Sequence, residues 1–172
     1  MDTTAKKSTL HLAAVIAAAM LALTGCASAS PAAEAEKVAA ADTVTIDDAW
    51  VKAADEGMSA GFGMLRNSGE QDVTVVSAQT EASSMVELHE TVENDAGEMV
   101  MREREGGFVI PAGGTLTLEP GANHIMLMDL AKPLKAGDEV AFTLTFSDGS
   151  TVDFTAPVKD YSGANENYDT DQ

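Results

Sequence analysis

The 172-residue chain predicts an all-β fold, an antiparallel β-sandwich of Greek-key type, and three features carry that expectation. Short segments alternating apolar with polar residues recur through residues 43–159. Clusters of Gly, Asn, Asp and Pro separate them at close intervals. No stretch of helical period is long enough to compete. Hydrophobic residues are 45% of the chain against 22% charged, enough apolar surface for a real core.

Taken in order, residues 1–25 read as a signal peptide. Lys6 and Lys7 precede an uncharged apolar run at 12–23, the length of a signal core and shorter than the roughly 20 residues that span a bilayer. The run ends in Leu23-Thr24-Gly25-Cys26, which resembles the lipobox of bacterial lipoproteins. That resemblance implies cleavage before Cys26 and a lipid on its thiol, and two acyl chains suffice for stable anchoring. Residues 26–42, rich in Ala, Ser and Glu, then form a flexible tether. Residues 43–159 are the folded domain, with strands expected at 73–78, 85–92, 99–102, 115–118, 124–130, 140–146 and 151–158. The last two show the pattern most plainly: Phe142, Leu144 and Phe146 share a face, and after Asp148-Gly149 the alternation resumes with Val152 and Phe154. Residues 160–172 are polar and acidic and read as a disordered tail.

Composition excludes several functions. The 10 Lys+Arg against 28 Asp+Glu give a net charge of −18, which argues against nucleic acid as a partner. Removing residues 1–25 deepens that charge to −19, so lipid and not a basic patch must hold the mature chain at a membrane. Cys26 is the only cysteine, which rules out an internal disulfide, a Cys-rich zinc site or an iron–sulfur cluster. No Ser/His/Asp order, paired carboxylate cleft or phosphate loop stands out, so the chain does not read as an enzyme.

Strand alternation also points to a ligand face. In 85–92, Val86, Leu88 and Val92 define one face, while Glu87 and His89 project from the other. In 124–128, Ile125 and Leu127 oppose His124, Met126 and Met128, and Met99 and Met101 flank Val100 in the same way. Both mature histidines and a group of methionines are thereby expected on outward faces, where packing alone does not call for Met. Thioether sulfur and neutral imidazole together suit Cu(I), with Cu(II) left open, and suit Zn²⁺, Mg²⁺ or Ca²⁺ poorly. His124 and Met126 can donate from one strand, and His89 and Met101 from adjacent segments. Met99 and Met128 are auxiliary candidates.

The same residues resemble the signature of the periplasmic copper chaperones called PCu(A)C: a His, a Met about a dozen residues later, and a His-x-Met about two dozen further on. The flanking text agrees over residues 44–158, from Asp48-Ala49-Trp50-Val51 through Met85-Val86-Glu87-Leu88-His89 to the run from Glu119 to Met128. Two departures stand out: Glu90 replaces a frequent Met, and 22 residues separate Met101 from His124, one more than usual. The resemblance implies a cupredoxin-like sandwich, anchored outside the cytoplasm as a lipoprotein. It implies delivery of copper toward the CuA centre of cytochrome c oxidase, with subunit II or another assembly chaperone as acceptor. A blue-copper electron carrier is disfavoured because the domain has no Cys thiolate. Two other functions remain open in the sequence: a metal-free envelope lipoprotein serving as an interaction module, and a copper store or detoxifier.

Overall fold

The computed structural model describes residues 38–162 and 167–168, all within the compact unit Glu36–Gln172. The expected signal peptide, Cys26 and most of the tether lie outside the described residues. A single helical turn, α1 (Ala40–Thr43), leads into β1 (Val44–Lys52), β2 (Ser59–Asn67), β3 (Val73–Gln79) and β4 (Val86–Glu93). There follow β5 (Met99–Glu103), β6 (Phe108–Ile110), β7 (Thr115–Leu118), β8 (His124–Leu127), β9 (Glu139–Phe146), β10 (Thr151–Lys159) and β11 (Asn167–Tyr168).

The strands follow one hydrogen-bonded path, β11-β5-β4-β8-β2-β1-β10-β9-β3-β6, with β7 on the edge of β2 beyond β8. The path folds over at β1–β10, so that Val51, Leu65, Leu88, Ile125 and Leu127 of one half meet Val75, Phe108, Phe142, Leu144 and Phe146 of the other in one apolar core. The expected all-β sandwich is present, but its pairing is not wholly antiparallel. β1 pairs with β10 in parallel, and β11, inside the tail expected to be disordered, pairs with β5 in parallel. Joining the first strand to the last long one removes two open edges at once.

Besides β11, three strands were not foreseen, each for a local reason. β6 has only three residues. β2 carries Gly61 and Gly63, which break the apolar alternation. β1 carries a bulge: Asp47 opposes Met64 and Trp50 opposes Phe62, so Asp48 and Ala49 together face Gly63. Asp48 takes φ 53°, and a Cβ on Gly63 would lie 3.1 Å from the Ala49 Cα, so only glycine fits there without adjustment. The extra residue reverses the strand's facing. Val44 and Val51 both point into the core, and Trp50 and Lys52 point out.

β8 stops at Leu127 and not at the expected 130, because the Ser83 hydroxyl takes the Asp129 N–H (3.3 Å) and interrupts the ladder. At the opposite end of β2, buried Asn67 ties the turn after β2 to the end of β6. Its amide donates to the carbonyls of Gln71 (2.8 Å), Pro111 (3.2 Å) and Ile110 (3.3 Å), and its Oδ1 accepts from the Gly69 N–H (2.9 Å). Gly107 closes the β5–β6 turn at φ 80° against β3, where a Cβ would fall 2.0 Å from the Val75 carbonyl oxygen.

Candidate metal centre

β4 and β8 run antiparallel in the register that sets His89 directly across from His124. Directly opposed side chains share a face, and the two imidazoles meet edge to face with ring centroids 5.5 Å apart. Met126, two residues beyond His124, lies on the same face between Ala60 of β2 and Glu87 of β4. Met101 faces Thr91 across the β4–β5 pair, two residues along β4 from His89. Three neighbouring strands thus bring the four expected ligands to one patch of the outer surface of this half of the sandwich.

The alternation correctly separated these residues from the core, but it misjudged their exposure. His89 is 0% exposed, His124 2%, Met126 5% and Met101 8%. The outer face is covered here. Phe62 of β2 is buried beside His124, with centroids 6.3 Å apart, and Trp50 packs on Phe62 at 4.5 Å. The turn 119–123 folds over from the other side, closed by the Glu119 N–H on the Asn123 carbonyl (2.9 Å). What remains is a cleft of about 230 Å³, lined by Lys52, Met58, Phe62, Met101, His124 and Met126 and by the tip of that turn.

The two histidines are held differently. His124 Nδ1 lies 2.9 Å from the Ala122 carbonyl, which can only accept, so Nδ1 carries the proton and the Nε2 lone pair is left free. That Nε2 is buried and has no hydrogen-bond partner. Burial pushes the His124 pKa below its ordinary value of 6.5, against the raising effect of the Ala122 hydrogen bond, and nearby His89 lowers it further. The ring is therefore neutral near pH 7. His89 Nε2 donates to Glu87 Oε2 at 2.7 Å, and that bond fixes the orientation of its ring.

Among the described residues no group of three or more His, Cys, Asp and Glu is arranged to hold a metal. The groups brought together are instead two imidazoles and two thioethers, a donor set that fits a soft monovalent ion; His89 stands behind His124 and does not itself line the cleft. An orphaned ring nitrogen in a buried position costs stability unless something binds it, and here it lines a cleft that admits a ligand.

The other residues singled out in the sequence separate from this group. Met99 is 51% exposed opposite Glu93, and Met128 is half-buried just past β8; neither lines the cleft. Glu90 lies on the opposite face of β4 from His89, paired with Arg102 (2.9 Å) and Arg104. A Met at that position would point away from the cleft, so the departure there removes nothing from it. Asp129 accepts a hydrogen bond from the Ser84 hydroxyl (2.7 Å). Sequence reasoning missed Phe62, Met58, Lys52 and the Ala122 carbonyl. Phe62, Met58 and Lys52 lie on segments with no strand pattern, and Pro120-Gly121 marks a turn ahead of His124 without fixing where the Ala122 carbonyl points.

Residues 44–158 match the family described as "Putative lipoprotein LpqE-like". A relative from Leifsonia xyli subsp. xyli (strain CTCB07), "Putative lipoprotein Lxx21020", is 50% identical over 95% of this chain and 98% of its own length. Among solved structures, the solution structure of CuI-DR1885 from Deinococcus radiodurans is 32% identical and superposes with TM-score 0.54, covering 72% of this chain and 85% of that one. The copper-bound PCuAC domain from PmoF2 superposes with TM-score 0.58 over 69% of this chain and 94% of that domain, at 21% identity. The chain belongs to the LpqE-like family, and its fold is the cupredoxin-like β-fold of the PCuAC domains.

Proposed function

We propose that this protein is an extracytoplasmic copper chaperone that binds one Cu(I) through His89, Met101, His124 and Met126 and passes it to an acceptor. The observation that carries the reading is the buried, partnerless Nε2 of His124 in a cleft shared with the two thioethers. The relatives that resemble it include a CuI-DR1885 and a copper-bound PCuAC domain, which supports the choice of metal. Four neutral donors leave Cu(I) with net charge +1, and no thiolate draws the ion into a hold too tight to release. A carrier needs that balance. The CuA centre of cytochrome c oxidase is the acceptor that the family resemblance suggests, and the lipobox together with the lipoprotein names of relatives supports anchoring through Cys26.

The test is a Cu(I) competition titration under reducing, anaerobic conditions, followed by transfer to a purified CuA domain. One Cu(I) should bind per chain. Met101→Leu and Met126→Leu keep apolar area but lack sulfur, and each should weaken binding at least about tenfold, the loss of roughly 1.4 kcal/mol. If both variants bind like the parent, the thioethers serve only as packing and the ligand assignment fails. Binding without transfer would turn the reading toward storage.

A further inference from the structure

Ligands buried to within 8% of full enclosure pose a problem for a carrier, because the donors of an acceptor cannot approach the ion directly. Cu(I) moves between proteins by ligand exchange, in which a new donor binds before an old one leaves. Some donor must therefore stand at the mouth of the cleft. Met58 does. It lines the same cleft as His124, Met101 and Met126, yet it is 45% exposed.

Its placement is fixed by backbone. The connection between β1 and β2 is bridged by Ala54 to Leu134, and the Gly57 carbonyl accepts the Leu130 N–H at 3.0 Å. On the other side of Met58, the buried Ser59 hydroxyl donates to the Lys52 carbonyl at 2.5 Å. Two anchors bracket Met58 within one residue on each side, so its backbone is held at the cleft mouth while its unbranched side chain can swing between the cleft and solvent. Met85 is as exposed, at 52%, but does not line the cleft.

We infer that Met58 is a relay ligand at the cleft mouth, binding Cu(I) transiently as the ion passes between the buried donors and the acceptor. This rests on the copper reading above. In the exchange, a bond from the Met58 sulfur to Cu(I) forms as a bond from one buried donor breaks. The copper stays Cu(I), and no proton or electron moves. The role is kinetic: Met58 lowers the barrier to release and contributes little to resident affinity.

The experiment loads the domain with one Cu(I), mixes it with excess bicinchoninate, and follows release with time alongside equilibrium affinity. Met58→Leu and Met58→Ala should each slow release about tenfold, corresponding to one lost intermediate contact, with Kd within about threefold of the parent. Met85→Leu should change neither. Leu and Ala differ in how far they open the mouth, so a purely steric rim would make Ala release faster than Leu, and that result overturns the relay. Unchanged release in both variants overturns it as well. A loss of affinity as large as that of Met126→Leu would make Met58 a resident ligand and also end the proposal. If the parent takes up no Cu(I), the copper reading itself has failed, which none of the Met58 outcomes can mimic.

Discussion

Replacing His124 by Phe should strengthen the copper-free domain while abolishing its response to copper. In the parent, burying His124 Nε2 without a partner costs about 1–3 kcal/mol. A phenyl ring removes that cost and sits among rings already present, Phe62 at 6.3 Å and His89 at 5.5 Å. Against the gain stands the hydrogen bond from Nδ1 to the Ala122 carbonyl, worth about 1 kcal/mol, though that carbonyl also receives the Thr91 hydroxyl at 3.4 Å. The balance is a gain between zero and about 2 kcal/mol. Urea unfolding of the copper-free domain should move its midpoint upward by as much as about 1 M for a slope near 2 kcal/mol/M. Saturating Cu(I) at about 1,000 times Kd should stabilise the parent by roughly 4 kcal/mol and the variant by far less. A copper-free variant destabilised by more than about 2 kcal/mol would refute the reasoning, since it would mean that His124 is a satisfied core residue and not a donor held in reserve.

Two further outcomes follow from the geometry. Asn67→Ala removes an amide that satisfies three carbonyls and one N–H, and should lower stability by about 2–4 kcal/mol in chemical unfolding without altering Cu(I) affinity. His124 titrates below 6.5 in the fold, so the unfolded chain binds the additional proton first as pH falls; its contribution to stability is complete above pH 6.5 and is lost on acidification toward the folded pKa. The difference in unfolding free energy between the copper-free parent and His124→Phe should therefore widen as pH drops below 6.5. A constant difference across that range would mean that burial does not depress the His124 pKa.

Legibility in the sequence followed the locality of each signal. Strands such as β9 and β10, whose alternation runs unbroken into Asp148-Gly149, could be read because the pattern and the turn lie within one short window. β1 could not, since its bulge shifts the phase between Ile46 and Val51 and destroys the period that would reveal it. At the cleft, parity put His89, His124, Met101 and Met126 on one side of their strands, which is where they stand. Their burial was not readable, because the cover comes from Phe62, from the turn 119–123 and from Met58, all distant in sequence from at least one ligand. The free lone pair of His124 depends on a carbonyl two residues away, and no side-chain pattern encodes where a carbonyl points.

The bulge at Asp48–Ala49 also lets positions of one parity serve opposite faces of the sheet. Ahead of it, Val44 and Ile46 pack toward the core; past it Val51 takes over that duty, while Trp50 turns outward onto Phe62 and Lys52 reaches the cleft. In an unbroken strand Trp50 and Lys52 would share the side of Val44 and Ile46 and neither would stand near the cleft. A single extra residue, accommodated at Gly63, thus converts the end of a core strand into part of the wall of the site.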